Sequence, residues 1–144
     1  MHIRHDALIL VADGQKYLLL RNQGDFRAPA LTVEGGAERK GAPARAMGTD
    51  RPGRSFASTG TARSALDETD FAALAEARFA GEAAAALAER ANGSSGDIFV
   101  AAPPDTLAEL RRRYSPAVKA RLAGELDKNL TGHTVADIAA ILSR

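Results

Sequence analysis

Short apolar runs separated by turn residues predict three strands near the start of the chain. Ala7–Val11 and Tyr17–Leu20 are apolar runs on either side of Asp13-Gly14. Because Asp-Gly tolerates the positive φ of a two-residue hairpin turn, the two runs are predicted to pair as a hairpin. A third strand is predicted over Ala30–Glu34, and Gly35-Gly36 is predicted to close it.

Beyond a long polar stretch, the apolar spacing changes to the repeat of a helix. Asp67-Glu68-Thr69-Asp70 is predicted to begin this helix, because carboxylates favour the free N–H groups and the dipole of a first turn. The helix is predicted to end at Asn92–Gly96, where Gly93 suits a left-handed cap. Its predicted buried stripe consists of Phe71, Leu74, Phe79, Ala83 and Leu87.

The next segment predicts one buried strand and two short helices. Asp97–Ala102 is continuously apolar after its first residue, which is typical of a central strand that is covered on both faces. Pro103-Pro104-Asp105 is predicted to end this strand and to begin a helix that runs through Tyr114. Ser115-Pro116 has the form of an N-cap followed by proline at the first helical position, and predicts a second helix through about Ala123.

The end of the chain predicts an edge strand over Glu125–Asn129 and a final helix that Thr134–Asp137 begins as a capping box. The order is therefore β-β-β, long loop, α-β-α-α-β-α. This order predicts an α/β fold, a mixed β-sheet flanked by helices. A chain of 144 residues suits one domain, over residues 1–144. The inward side chains predicted for the last helices are Leu107, Leu110, Val135, Ile138, Ala139 and Leu142.

A glycine-rich loop is predicted over residues 35–68, and a loop of this length is usually either functional or disordered. Between positions 39 and 63 the sequence contains six basic residues and one acidic residue, Asp50. Arginine binds phosphate through two parallel hydrogen bonds, and glycines let backbone N–H groups approach the same anion. The loop is therefore a candidate RNA or anion contact, although a solvated loop would carry the same charges. Its basic residues are Arg39, Lys40, Arg45, Arg51, Arg54 and Arg63.

Other charged or polar groups are better explained without a ligand. Arg111-Arg112-Arg113 lies where cations favour the C-terminal end of a helix. Asp13, Asp50 and Asp127 are scattered carboxylates, and Asp13 is better explained by its turn than by a metal. His133 is predicted to lie in the turn before the last helix. Neither a nucleophile elbow nor a phosphate-binding glycine motif is present.

Composition narrows the class of protein further. The chain has no cysteine, which excludes disulfides, thiolate metal sites and a cysteine nucleophile. Its 19 basic and 18 acidic residues leave a net charge of +1, which argues against a uniform polycation. No apolar run approaches the length of a membrane helix, and the first residues lack the pattern of a signal peptide. We expect a cytoplasmic protein with no membrane partner.

Several short motifs carry a resemblance to a known family. Val11–Gly14, Gly48–Arg54, Ala101–Pro104 and Glu125–Thr131 resemble segments of the bacterial host attachment proteins, named for attachment to host cells. Gly48–Arg54 is the most specific of them. That family in turn resembles the central domain of archaeal and eukaryotic class-one release factors and of Pelota. The resemblance covers nearly the whole chain and implies a release-factor-like, ribonuclease H-like fold.

In the release factors, a Gly-Gly-Gln tip precedes Ser-Ala-Leu and a long helix, and it serves the hydrolysis of peptidyl-tRNA. Ser64-Ala65-Leu66 matches that pattern, whereas Thr61-Ala62-Arg63 stands in the place of Gly-Gly-Gln. The resemblance therefore implies that the glutamine that orders the attacking water is absent.

The leading hypothesis is a non-catalytic domain that binds RNA, the ribosome or another anion through its Arg/Gly-rich loop. Neither a cofactor nor a metal is expected. Two alternatives stay open, a residual peptidyl-tRNA hydrolase or esterase that uses Thr61, Arg63 or Ser64, and a protein–protein module that acts in attachment. The candidate anion- or RNA-binding residues are Thr49, Asp50, Arg51, Arg54, Arg63, Ser64 and Lys128.

Overall fold

The computed structural model describes residues 1–39 and 61–144, and for residues 61–70 it describes the backbone alone. The element order confirms the prediction. The strands are β1 (Leu8–Ala12), β2 (Lys16–Asn22), β3 (Leu31–Glu38), β4 (Ile98–Ala101) and β5 (Leu122–Leu126). The helices are α1 (Thr61–Ala91), α2 (Pro104–Arg113), α3 (Pro116–Arg121) and α4 (Val135–Leu142).

The five strands form one mixed sheet in the order β3-β2-β1-β4-β5. β2 is antiparallel to both β1 and β3, whereas β4 is parallel to both β1 and β5. The carboxyl ends of β1, β4 and β5 consequently share one edge of the sheet. The turn between β1 and β2 and the last residue of β3, Glu38, which pairs with Lys16, lie there too. We call this edge the carboxyl edge.

The core covers both faces of the central strands. In β1, Leu8 and Leu10 pack beneath α1, α2 and α3, whereas Ile9 and Val11 pack against α4. β4 is buried along its whole length, as its continuous apolar run predicts. Each large side chain removed from water in this way contributes about 1.5–3 kcal/mol to folding.

The hairpin between β1 and β2 is present, but its predicted turn was displaced by one residue. The Asp13 N–H donates to the Lys16 carbonyl at 2.9 Å, so Gly14 and Gln15 are the two central residues. Neither Asp13 nor Gly14 has a φ in the left-handed region. The Asp13 side chain holds this turn instead, by accepting hydrogen bonds from the Gln15 and Lys16 N–H groups at 2.8 Å.

β3 does not end at Glu34, because Gly35-Gly36 lies inside the strand instead of closing it. The pairing with β2 changes register between Leu19 and Leu20, which accommodates an extra residue in β3. A Cβ on Gly36 would lie 2.6 Å from the Tyr17 carbonyl oxygen, so only glycine allows this close approach. The predicted start of the loop at residue 35 is therefore wrong, because residues 35–38 belong to β3.

The same loop is wrong at its second end, because α1 begins at Thr61 and places Asp67–Asp70 inside the helix. The buried stripe also differs from the prediction. Phe79, Ala83 and Leu87 are buried, but Phe71 and Leu74 are 69% and 52% exposed. Both residues precede Glu76, which lies beside Gly14 at the carboxyl edge, so the sheet does not cover them.

A backbone carbonyl at the C-terminal end of α1 accepts a hydrogen bond from an arginine that is distant in sequence. Gly93 does not adopt the left-handed φ that was predicted for it. The Arg121 guanidinium instead donates to the Ala91 carbonyl at 2.6 Å and to the Gly96 carbonyl at 2.8 Å. The predicted position of the helix end was correct, but its cap comes from tertiary structure.

The later helices begin where their local patterns predict. Ser115 caps α3 by accepting from the Val118 N–H at 3.2 Å, and Thr134 caps α4 by accepting from the Asp137 N–H at 3.1 Å. β5 is an edge strand, as predicted, but it begins directly after Arg121 and ends at Leu126. The start of α3 was therefore predicted correctly, whereas its predicted end and both predicted bounds of β5 were two to three residues too late.

Candidate functional site

The carboxylate of Asp13 joins the beginning of the chain to its end at the carboxyl edge. One oxygen, Oδ1, accepts the two N–H groups of its own turn. The other, Oδ2, lies 2.7 Å from the Thr131 hydroxyl and 3.3 Å from the Asn129 amide nitrogen. The Thr131 hydroxyl also lies 2.7 Å from the Asn129 Oδ1 atom, but its single proton goes to the ionised acceptor, which binds it more strongly. We call this hydrogen-bonded set the Asp13 hub.

These hydrogen bonds determine the charge state of Asp13. Partial burial by itself raises the pKa of its carboxyl group. The hydrogen bonds from Thr131, Gln15, Lys16 and Asn129 outweigh burial, and together they lower the pKa below its ordinary value. Asp13 is consequently ionised at neutral pH with both oxygens bonded. Its hydrogen bonds make this carboxylate an anchor between the turn after β1 and the turn after β5.

Three residues with cationic side chains lie near the Asp13 hub in the fold. Lys16 donates its backbone N–H to Asp13, and Arg39 donates its own to the Gln15 carbonyl at 2.7 Å. Lys128 is exposed in the turn that leads from β5 to Thr131. In the described part of the chain, no carboxylate lies within ion-pair distance of these three side chains. The Nε atom of Arg39 is buried and has no hydrogen-bond partner among residues 1–39 and 71–144.

Several arginines in the described part of the chain are used differently, because they are paired with carboxylates of the protein itself. Arg21, almost fully buried, forms two hydrogen bonds of 3.1 Å with the Glu34 carboxylate, which ties β2 to β3. Such paired guanidinium groups have little capacity left for a ligand. The other arginines paired with carboxylates are Arg4 with Asp97, Arg90 with Glu34, Arg111 with Glu125, and Arg112 and Arg113 with Glu109.

The basic run at positions 111–113 lies in the last turn of α2, as predicted, but it is paired with carboxylates and is not simply a solvated helix end. Arg111 donates two hydrogen bonds to the Glu125 carboxylate, at 2.9 and 2.7 Å, and Tyr114 donates its hydroxyl to the same group at 2.8 Å. Burial by itself raises the pKa of Glu125, but the Arg111 and Tyr114 hydrogen bonds lower it below the ordinary value. The run fastens α2 to β5.

Two adjoining cavities open beside the Asp13 hub, between α1 and the start of α2. Each has a volume of about 320 Å³, and Glu76, Asp105 and Thr106 line both. A Cβ on Gly14 would lie 3.0 Å from the Glu76 side chain, so this glycine lets α1 approach the turn. Within residues 1–39 and 71–144, no group of three His, Asp or Glu side chains could hold a metal ion.

The structure places the predicted site residues unevenly. Thr49, Asp50, Arg51 and Arg54 lie outside the described residues. Arg63 and Ser64 belong to the first turn of α1, and their side chains are not described. Lys128 lies at the carboxyl edge beside the Asp13 hub. His133 lies in the turn after Leu130, as predicted.

Thr131 and Asn129 were missed as partners of Asp13 in the sequence. Both motifs that carry them were noticed, Val11–Gly14 and Glu125–Thr131, but a linear pattern does not show that they meet. The one signal in the sequence was that both motifs belong to the set that carries the family resemblance. None of the helices in the described residues has the length and apolar character needed to cross a membrane.

Comparison with known proteins agrees with this architecture. The family model of the bacterial archaeo-eukaryotic release factor family 12 matches residues 6–142. No protein with a curated description matches the chain. The release-factor relationship predicted from the motifs is therefore confirmed, and the mixed α/β sheet is consistent with it. Since the match spans nearly the entire chain, this protein belongs to the bacterial archaeo-eukaryotic release factor family 12.

Proposed function

We propose that this chain is a non-catalytic, single-domain release-factor relative that binds the phosphate backbone of RNA, ribosomal RNA included, through residues 39–63. The observation that supports the proposal is the position of the described elements on either side of this segment. Arg39 leaves β3 at the carboxyl edge, and α1 returns to the sheet at the same edge, where Glu76 lies beside Gly14. The last residues of β3 and the part of α1 around Glu76 therefore lie at the same edge of the sheet.

The length of α1 supports the same proposal. Its last residues are anchored in the core from Phe79 onward, whereas Phe71–Arg78 are exposed or half-buried. Residues 61–75 precede Glu76 and add about 22 Å of helix beyond the carboxyl edge. A helix that is anchored at one end and extends at the other is suited to carry a binding segment away from the body.

Charge supplies the affinity in this proposal. Residues 40–63 contain Lys40, Arg45, Arg51, Arg54 and Arg63, and one acid, Asp50. Binding that neutralises phosphates releases counterions, so the association constant must fall steeply as salt rises. The net charge of +1 over the whole chain conceals this local excess.

The test is a charge reversal with a matched control. Arg51→Glu, Arg54→Glu and Arg63→Glu in one variant should abolish the salt-sensitive association with single-stranded RNA and with ribosomes. The control variant, Arg27→Glu, Lys119→Glu and Arg144→Glu, makes the same change of charge at exposed cations away from the carboxyl edge, and should bind normally. Wild-type protein that fails to bind at low salt, or a reversed variant that binds as tightly as wild type, contradicts the proposal.

The same preparations separate binding from catalysis. Peptidyl-tRNA turnover is measured for wild type and for an Arg63→Ala, Ser64→Ala double variant. We expect equal background rates, because Thr61-Ala62-Arg63 replaces the Gly-Gly-Gln tip. A rate that the double variant loses would show that the chain is a hydrolase instead.

A role in attachment to host cells is the remaining proposal from the motif resemblance. A protein partner that co-purifies after nuclease treatment would favour a protein–protein module over RNA binding.

A further inference from the structure

We propose that the first half of α1 is an interface between two copies of this chain, which pair through antiparallel helices. One row of positions along the helix makes the contact, and we call it the outer stripe: Asp67, Phe71, Leu74 and Arg78. Its occupant is the outer stripe of a second copy. The pairing goes beyond RNA binding and does not depend on it, because none of these residues belongs to the segment 39–63.

Two large apolar side chains of α1 lie in solvent one helical turn apart. Phe71 is 69% exposed, the highest value among the large apolar side chains of residues 1–39 and 71–144, and Leu74 is 52% exposed. Residues three and four positions apart share a helix face, so both lie in one row with the exposed Arg78. This row is on the side of the helix opposite to the buried Leu87. The core therefore leaves an apolar row for a contact outside the domain.

The spacing of the outer stripe is that of a seam between two helices. Its positions follow one another at steps of four, three and four residues, which is the repeat with which helices pair along their length. The backbone is helical from Thr61 to Ala91, so position 67 lies on the same row as the three later positions. Because the row faces away from the sheet, a second helix fits along it with the body of the second copy on the far side.

The order of charges along the outer stripe selects a second copy in antiparallel orientation. The stripe has an acid at one end, a base at the other and two apolar residues between them. A two-fold axis that passes between residues 72 and 73 brings Phe71 of each copy against Leu74 of the other. The same axis brings Arg78 of each copy against Asp67 of the other.

A parallel pair is disfavoured by the same charges. It would place Arg78 beside Arg78 and Asp67 beside Asp67, and like charges in an interface repel. Arg78 makes no ion pair with any side chain that the structure describes, so the antiparallel contact does not require an existing pair to break. The stripe is therefore complementary to itself in one orientation.

The experiment follows the mass of nuclease-treated protein by sedimentation over a concentration series that ends at about 1 mM. We expect a monomer in dilute solution and a dimer at high concentration. Leu74→Ser should raise the dissociation constant of the dimer about tenfold or more. Val33→Ser changes an equally exposed apolar side chain on β3 and should leave the constant unchanged. A wild-type chain that stays monomeric throughout the series, or a dimer that Leu74→Ser does not weaken, overturns the proposal.

An exchange of charges tests the antiparallel register. Arg78→Asp places two acids opposite each other and should weaken the dimer, whereas Asp67→Arg and Arg78→Asp together restore opposite charges and should recover it. Arg27→Asp makes the same change at an exposed position outside α1 and should have no effect. A double variant that is as weak as Arg78→Asp alone would show that these two positions do not meet.

The chain has no cysteine, so introduced thiols report the orientation directly. A mixture of the Asp67→Cys and Arg78→Cys variants should form a disulfide between the two kinds of chain under oxidising conditions. Each variant alone should not, because positions 67 and 67 of an antiparallel pair are too far apart for a disulfide. Linkage of either variant with itself would indicate parallel helices and overturn the proposal.

Dilution separates a contact between copies from a contact within one chain. In dilute, monomeric protein the stability should not depend on Phe71, because the second copy is absent. A loss of stability in the Phe71→Ala monomer would mean that the chain itself covers the outer stripe, and it would overturn the proposal. Failure of the chain to bind RNA would leave the pairing unaffected, since the two use different residues.

Discussion

The hydroxyl of Thr131 donates a 2.7 Å hydrogen bond to the carboxylate of Asp13, across 118 positions of sequence. This bond connects the turn after β1 with the turn after β5, at the edge of the sheet where ligands of open α/β folds bind. The motifs Val11–Gly14 and Glu125–Thr131 each supply one half of this contact.

Removal of this hydrogen bond should destabilise the fold measurably. Thr131→Val leaves an ionised acceptor with one donor fewer, and we expect the free energy of unfolding to fall by about 1–3 kcal/mol. Thr131→Ser should lose much less. Urea denaturation checks both values, and equal stabilities of the valine and serine variants would contradict the importance of the hydroxyl.

The lowered pKa of the Asp13 carboxyl group predicts that the stability of the protein depends on pH. Because folding lowers the pKa of Asp13, its contribution to stability is complete above the unfolded pKa of about 3.9 and is lost as the pH falls through the folded pKa. The stability difference between wild type and Asp13→Asn should therefore be constant above about pH 5 and should shrink in acid. A difference that stays constant down to strongly acidic pH would exclude this linkage.

Tyr114 should ionise only at strongly alkaline pH. Burial raises the pKa of its phenol, and the hydrogen bond to Glu125 raises it further. The chain has two tyrosines and no tryptophan, so an absorbance titration of wild type against Tyr114→Phe isolates this group. Since its folded pKa is raised, its contribution to stability is present below about pH 10 and is lost as pH rises through the folded pKa. Ionisation of Tyr114 near pH 10 in the folded protein would contradict this prediction.

The two halves of α1 should respond differently when a large side chain is replaced by alanine. Leu87 is completely buried, so Leu87→Ala should cost about 2–5 kcal/mol of unfolding free energy. Phe71 is mostly exposed, and Phe71→Ala should change stability by less than about 0.5 kcal/mol. Thermal or urea unfolding compares the two. A large loss for Phe71→Ala would mean that the first half of the helix is packed.

Alanine substitutions at Gly36 and Gly132 form another matched pair of tests. A Cβ on Gly36 would lie 2.6 Å from the Tyr17 carbonyl, and Gly36→Ala should destabilise the protein by about 1–3 kcal/mol. A Cβ on Gly132 meets nothing within 4 Å, so Gly132→Ala should be nearly neutral. Equal effects on the midpoint of unfolding would show that the β2–β3 pairing tolerates a side chain.

Local patterns were sufficient for the order of elements and for several of their ends. The apolar run of β4 predicted a central strand, because a strand covered on both faces needs no polar side chain. Ser115 and Thr134 marked helix starts correctly, because an N-cap bonds to an N–H only three residues away.

Features that depend on distant residues required the tertiary structure. Gly35-Gly36 reads locally as the end of a strand, yet the sheet continues because β2 supplies hydrogen-bond partners up to Glu38. The acids at positions 67–70 resemble a helix start, but the helix continues from Thr61, and α2 together with the sheet buries its other half.

The pattern of short-range chemistry thus determines which elements form, because caps, turns and apolar runs act within a few residues. Packing decides which faces are buried, which arginines are paired and which cations stay available, because those outcomes depend on groups far apart in the chain. Asp13 illustrates both. Its own sequence predicts the turn that it holds, whereas only the folded chain brings Thr131 to its second oxygen.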